Sequence, residues 1–113
     1  MLKELKELGM GGSTFKVNIQ STDNIDSISS NGADTVEFLI SPNVGEPLKP
    51  LAKIISGGEM SRFMLALKNI VASIDGIGTM VFDEIDTGIS GNISAVVSEK
   101  LCNISRGRQV IAV

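Results

Sequence analysis

The sequence lacks several side chains on which enzyme active sites often depend. Its 113 residues contain no histidine, no tryptophan and no tyrosine, and Cys102 is the single cysteine. The absence of histidine excludes Ser-His-Asp triads, Cys-His dyads and HExxH zinc sites within the chain. One cysteine excludes an intrachain disulfide and a cysteine-rich metal site, and it fits a reducing compartment.

Charge and hydropathy argue against further classes of surface. Ten basic and 13 acidic side chains give a net charge of −3 without any run of like charge, so no polybasic arm for DNA or lipid is expected. Four phenylalanines are too few for a platform on which single-stranded bases stack. The apolar runs are far shorter than the roughly 20 residues of a membrane helix, and no signal peptide is predicted.

The first half of the chain shows a helix end followed by alternating patterns. Residues 2–8 place leucines three apart, which predicts the last turns of a helix that ends at Gly9. Residues 15–19 and 36–40 alternate apolar and polar side chains, which predicts two half-buried strands. The polar stretch 21–34 between them is predicted to be a hairpin loop or a mobile excursion. Three prolines in residues 42–53 predict an irregular connection.

The second half changes to a strand–helix–strand pattern. Helical spacing of apolar residues predicts a helix from Ser56 to about Asp75, with Ile70 and Ile74 among its apolar positions. The apolar run 79–82 suits a strand buried on both faces, as in a parallel sheet. A second helix over 93–104, with Cys102 expected to be buried, precedes a strand at 109–113. The predicted fold class is therefore α/β, with parallel strands joined by a crossover helix and an added antiparallel segment.

The start of the long helix carries the first candidate site. Ser56 and Glu59 have the spacing of a capping box, which alone explains both side chains. That explanation leaves Gly57 and Gly58 unexplained, because glycine weakens a helix. Bare N–H groups at a helix N-terminus also form an anion site, so a phosphate-binding role is the alternative.

The strand at 79–82 delivers the second candidate site, Asp83-Glu84. Ligand sites in open α/β sheets lie at the carboxyl ends of strands, and paired carboxylates there suit a Mg²⁺–nucleotide complex. In that interpretation Asp83 holds Mg²⁺ through water, and Glu84 orients or deprotonates the attacking water. The plainer interpretation is a solvated acidic turn after a buried strand.

Together the two sites resemble the arrangement in ABC-type ATPase heads: residues 55–59 are similar to their signature motif and residues 80–84 to their Walker B motif. The sequences Ser-Gly-Gly-Glu-Met-Ser-Arg at 56–62 and Phe-Asp-Glu-Ile-Asp-Thr-Gly-Ile-Ser-Gly at 82–91 resemble the RecN family of bacterial DNA repair proteins, an SMC-like branch of these ATPases. Residues 36–43 and 45–51 carry the same resemblance, which is weakest in residues 20–33.

The resemblance implies roles for individual residues. Ser56, Gly57, Gly58 and Glu59 face the ATP of an opposing head, while Glu84 as catalytic residue and Asp83 as Mg²⁺ ligand serve the nucleotide of their own head. Asp86 and Ser90 occupy the D-loop region. Ser90 stands where transporters carry an aspartate, which leaves its role open. Arg62 either faces phosphate or is a solvated charge on the helix surface.

The chain contains no P-loop, because the glycine-rich residues 9–14 lack the lysine of G-x-x-x-x-G-K-[ST]. The resemblance implies that residues 1–9 end a coiled-coil helix and that residues 10–113 form the C-terminal part of a head, cut before a switch histidine. Alone, this part is expected to be inactive. Its implied partners are an N-terminal P-loop lobe, a second head in a homodimer, and DNA through the intact protein, in the cytoplasm at the nucleoid. The alternatives are the head of a chromosome-organising SMC protein and a non-catalytic binding or dimerisation module.

Overall fold

A computed structural model describes residues 1–53, 57–71 and 74–113. Its helices and strands, in chain order, are α1 (Leu2–Glu7), β1 (Thr14–Ser21), β2 (Asp34–Ser41), β3 (Lys49–Pro50), α2 (Gly57–Val71), β4 (Thr79–Phe82), α3 (Gly91–Ser105) and β5 (Gln109–Ala112). Two short 3-10 turns lie at Ile25–Ser27 and Leu51–Lys53. None of the described helices combines the length and the apolar character that crossing a bilayer requires.

Strands β1, β2 and β3 form an antiparallel sheet in that order. The register pairs Phe15 with Ile40 and Ile19 with Val36, so the alternating apolar side chains share one face. This confirms the predicted strands, and residues 22–33 connect them as a hairpin. The connection predicted to be irregular contains β3, which pairs with β2 and was missed; its Pro50 lies in a two-residue strand at the end of the strand order, where a missing N–H is tolerated.

Strands β4 and β5 form a two-stranded parallel sheet joined by the crossover helix α3, as predicted. Met80 and Phe82 of β4 are buried, but Val81 between them is 63% exposed. Ile111, its partner on β5, is also exposed. The prediction of a strand buried on both faces is therefore wrong, because within the described residues the packing covers only one face of this sheet.

The core lies where the three helices meet the two sheets. Phe63 of α2 is fully buried and its ring lies 5.6 Å from that of Phe15, which joins the helix to the antiparallel sheet. The buried apolar side chains are Leu5, Leu8, Met10, Ile40, Phe63, Leu65, Ala66, Met80, Phe82, Ile85, Val97 and Ile104. Helix α1 thus packs into the core, and the chain leaves it at Gly9 with a positive φ of 78°, as its predicted end requires.

Three further side chains depart from their predicted burial. Ile70 and Ile74 are exposed, although helical spacing indicated an apolar face there. The end of the helix was predicted near Asp75, but α2 as described ends at Val71 and residue 74 already lies in a turn; residues 72 and 73 lie outside the described residues. Cys102 is exposed on α3, so the prediction of a buried thiol is wrong. The buried face of α3 runs through Val97, Lys100 and Ile104, and Cys102 does not lie on it.

Candidate functional site

Asp83 and Glu84 lie exposed at the carboxyl end of β4, as the sequence predicts. The backbone holds them there, because Glu84 N–H donates to Val113 O over 2.9 Å and Val113 N–H donates to Phe82 O over 2.9 Å. Glu84 has a φ of 54°, the only positive φ at a non-glycine residue in the described parts of the chain. Side chains rarely adopt this left-handed backbone conformation, which marks Glu84 as a strained position of functional interest.

Helix α2 begins at Gly57, and its first turn lies directly against Glu84. A Cβ atom added to Gly57 would overlap the Glu84 carboxylate, and one added to Gly58 would lie 3.1 Å from Glu84 O and 3.0 Å from Thr87 O. Gly58 is therefore required by close packing against backbone oxygens of the turn after β4, whereas Gly57 leaves room for the flexible end of the Glu84 side chain. This gives the glycine pair a structural reason that the sequence alone did not supply.

Ser56 and Glu59, the predicted site residues on either side of the glycine pair, have different outcomes. Ser56 lies outside the described residues, so the capping box that joins it to Glu59 stays a prediction. Glu59 is half-buried in the first turn of α2. Gly57 is exposed at the helix N-terminus, where backbone N–H groups and the positive end of the helix dipole favour an anion.

The turn after β4 closes on itself and leads to α3. Thr87 N–H donates to Glu84 O over 3.1 Å, and Gly88 with a φ of 71° ends the turn. Asp86 is exposed and lines an open hollow of about 360 Å³ on the side of α3 and β5. Ser90 is the N-cap residue of α3, but its side chain makes no capping hydrogen bond. The structure thus brings Glu84 to the glycine pair and places Asp86 at a hollow that faces α3.

Two polar residues of α2 fasten this turn, and the sequence did not assign either of them to it. Ser61 Oγ donates to Asp83 O over 2.5 Å, and Arg62 Nη1 donates to Thr87 O over 2.7 Å. Arg62 is only 8% exposed, so its interpretation as a solvated surface charge is wrong. A signal existed in the sequence: Gly58, Arg62 and Ala66 are four residues apart, which places Arg62 on the buried face of the helix.

The environment of Arg62 perturbs its titration without discharging it. Burial lowers the pKa of the Arg62 guanidinium below its ordinary value, and the nearby Glu59 carboxylate acts in the opposite direction. Arginine remains protonated at neutral pH even so. A positive charge therefore lies between the start of α2 and the acidic turn.

The donor set of the site fits a Mg²⁺ ion that is bound together with water and substrate phosphates. No group of three or more carboxylate, histidine or cysteine side chains that could hold a metal occurs in the described portions of the chain. Mg²⁺ is usually bound by one or two carboxylates together with water and substrate phosphates. Asp83 and Glu84, both exposed at one strand end, fit that pattern and do not form a closed protein cage.

Solved structures of SMC heads share the fold. The head of Smc bound to the C-winged helix domain of ScpA superposes with a TM-score of 0.57 at 20% identity, covering 98% of this chain and 31% of that one. An Smc head with an extended coiled coil, bound to the C-terminal domain of ScpA from Pyrococcus furiosus, also gives 0.57, at 16% identity and covering 99% and 26%. These similarities confirm the predicted fold class, a part of an SMC-type head with an α/β fold.

Curated sequences are more similar, although no protein-family model matches the chain. DNA repair protein RecN of Halalkalibacterium halodurans is 45% identical over 112 residues, which cover 98% of this chain and 20% of that protein. RecN of Treponema pallidum is 48% identical over 112 residues, covering 96% and 20%. The chain spans about one fifth of the length of these relatives. Identity at this level along nearly all of its length identifies the chain as a RecN-type sequence that corresponds to one stretch of the longer RecN proteins.

Proposed function

We propose that this chain is the signature-bearing and Walker B-bearing lobe of an ATP-hydrolysing, SMC-like head that acts in bacterial DNA double-strand break repair and recombination. The observation that carries the proposal is the direct packing of the first turn of α2 on Glu84 at the end of β4. An exposed helix N-terminus and an exposed carboxylate pair then lie side by side. The names of the curated relatives supply the repair context.

In this proposal the carboxylates serve the nucleotide of their own head. Glu84 orients the attacking water and accepts its proton. Its carboxylate is exposed beyond the strand end, where a water molecule and a nucleotide can reach it. Asp83 holds Mg²⁺ through water, and the metal, when bound, neutralises charge on the phosphates. The N–H groups at the start of α2 and the Glu59 side chain face the γ-phosphate of ATP on an opposing head. Ser56, which precedes them in the sequence, is predicted to contribute to the same contact. Asp86 and Ser90, in the D-loop region, lie between the two nucleotides.

The proposal requires parts that this sequence does not contain. No G-x-x-x-x-G-K-[ST] motif is present, so an N-terminal P-loop lobe must cradle the phosphates. A second head must supply the other half of each site, and α1 is then the end of a coiled coil. DNA is contacted by other parts of the intact protein. This chain has a net charge of −3 and no run of basic residues that would attract DNA phosphates. The protein acts in the cytoplasm, at the nucleoid.

The test is steady-state ATP turnover by the full-length protein with Glu84→Gln. Glutamine keeps the size of the side chain but cannot accept the proton, so we expect kcat to fall by about 100-fold or more, within the range of a lost general base, while ATP still binds. Glu99→Gln, which changes an exposed glutamate on α3, is the matched control and should leave kcat unchanged.

The outcomes separate the alternatives. Wild-type turnover in Glu84→Gln removes Glu84 from the mechanism. A full-length protein that is folded but neither binds nor hydrolyses ATP makes the chain a non-catalytic binding or dimerisation module, in which the glycine pair serves packing alone. The head of a chromosome-organising SMC protein is the less favoured alternative, because the SMC heads share only 16–20% identity with the chain.

A further inference from the structure

Arg62 occupies a position where a charged side chain is seldom found. It is 8% exposed and lies on the same face of α2 as Leu65 and Ala66, which are fully buried. Its Nε atom is buried and has no hydrogen-bond partner among the described residues. Burying a charge is unfavourable unless specific hydrogen bonds compensate for it. The contacts that Arg62 does make therefore indicate what it is for.

Arg62 contacts the backbone of the turn after β4, which carries Glu84. Nη1 donates to Thr87 O over 2.7 Å, and Thr87 N–H in turn donates to Glu84 O over 3.1 Å. Glu84 has the unfavourable φ of 54°, so the closed turn must be held in place from outside. From the side of α2, Arg62 holds the end of the turn at Thr87, while Ser61 holds its beginning at Asp83.

The same guanidinium also lies under the first turn of the helix. A Cβ atom on Gly58 would be 3.1 Å from Arg62 Nη1, 3.0 Å from Thr87 O and 3.1 Å from Glu84 O. The helix start, the guanidinium and the turn therefore form one tightly packed unit. A displacement of the helix start is transmitted to Glu84 through this unit, because close-packed groups have little room to move independently.

We propose that Arg62 is a positioning residue that fixes the Glu84 turn against the first turn of α2 and so links the carboxylate of one nucleotide site to the phosphate-facing helix start of the other. This inference rests on the proposed function for its catalytic consequence. The contacts themselves do not depend on it.

The experiment compares Arg62→Met with Arg62→Lys in the full-length protein. Methionine fills similar volume without a donor, whereas lysine keeps the charge and the donors. We expect Arg62→Met to lower kcat for ATP about 10- to 100-fold, the size of a misplaced catalytic group, with KM for ATP within about twofold. Arg62→Lys should recover most of the loss. Arg106→Met, at an exposed arginine, is the charge-matched control.

A second readout is independent of hydrolysis. Amide hydrogen exchange at Thr87 and Glu84 should be at least about tenfold faster in Arg62→Met, while the interior amides of α2 exchange as in the wild type. If Arg62→Met does not fold, Arg62→Gln replaces it, because its shorter neutral side chain cannot reach Thr87 O either. Absence of ATP turnover in the wild-type protein would contradict the proposed function. The amide exchange rates would still test whether Arg62 holds the turn after β4 in place. Unchanged exchange in a folded variant, or faster exchange with wild-type kcat, overturns the positioning role.

Discussion

The ammonium of Lys100 on α3 lies 2.6 Å from the carboxylate of Glu4 on α1. A second carboxylate, that of Glu7, lies 2.7 Å from the same nitrogen. Lys100 is only 7% exposed, and the Glu7 side chain is 39% exposed. Asn69 of α2 also donates to Glu4 over 3.0 Å, so this cluster joins all three helices. Lys100 is thus the least exposed of the three charged side chains in the cluster.

Because Lys100 is more buried than the two glutamates, removing the carboxylates should destabilise the fold more than removing the lysine. Glu4→Gln combined with Glu7→Gln leaves the buried Lys100 without a carboxylate, and we expect the free energy of unfolding to fall by about 2 to 3 kcal/mol. Lys100→Met leaves carboxylates that water can still solvate, and we expect a loss below about 1 kcal/mol. Urea unfolding of the 113-residue chain measures both. A larger loss in Lys100→Met would contradict this account.

The same cluster sets a pH dependence of stability. Burial raises the pKa of Glu4, but hydrogen bonds from Lys100 and Asn69 outweigh it, so the pKa lies below its ordinary value of 4.5. Burial lowers the pKa of Lys100, but the bonds to both glutamates outweigh it, so the pKa lies above its ordinary value of 10.5. The contribution of Glu4 is complete above pH 4.5 and is lost as the pH falls through the lowered value. That of Lys100 is complete below pH 10.5 and is lost as the pH rises through the raised value.

We therefore expect Glu4→Gln to flatten the acid side of the stability curve, because the titrating carboxylate is gone. Unfolding midpoints measured from pH 2 to pH 7 test this, and Glu99→Gln, at an exposed glutamate on α3, should keep the wild-type acid side. Some acid sensitivity should persist in Glu4→Gln, since a hydrogen bond from Arg108 lowers the pKa of Asp75 as well. An acid side identical to that of the wild type would rule out a role for Glu4.

The sequence predicted the order of elements well, because alternation and helical spacing record which side chains share a face. It failed where burial depends on packing partners distant in sequence. Val81 and Ile70 are apolar and exposed, since a local pattern does not encode what covers a face. Strand β3 was not predicted, because a strand of two residues is too short to show an alternating pattern and one of its residues is a proline.

The candidate site was predictable in its carboxylates and glycines, because motif spacing fixes them on a strand end and a helix start. The contacts of Ser61 and Arg62 with the turn were not predicted. Both contacts are made to backbone carbonyl oxygens. Because every residue has such an oxygen, the residue type at the acceptor position does not reveal the contact. An arginine in a helix is ordinarily a surface residue, so its burial becomes evident only from the face it shares with Ala66.

The hairpin of β1 and β2 presents an apolar face that becomes steadily more exposed away from the core. Ile40 is fully buried, Phe38 is 36% exposed, and Val36 and Ile19 are 57% and 61% exposed. Clustered apolar surface of this kind promotes association. We expect the isolated 113-residue chain to self-associate, and Ile19→Lys to reduce that association in sedimentation velocity experiments.

The matched control for Ile19→Lys is Gln20→Lys, which adds the same charge to the adjacent residue on the opposite face of the strand. Gln20→Lys should leave the distribution of species unchanged. Equal dissociation by both variants would mean that added charge alone, and not this apolar face, governs association.

Gly57→Ala tests the contact on which the proposed function depends. A Cβ atom at this position would overlap the Glu84 carboxylate, so the carboxylate or the start of α2 must shift. In the full-length protein we expect kcat for ATP to fall about 10- to 100-fold, because even a small misplacement of a catalytic group is costly. Gly78→Ala is the control, since its Cβ would have no neighbour within 4 Å among the described residues. Wild-type kcat in a folded Gly57→Ala protein would show that the observed position of Glu84 is not the one from which it acts.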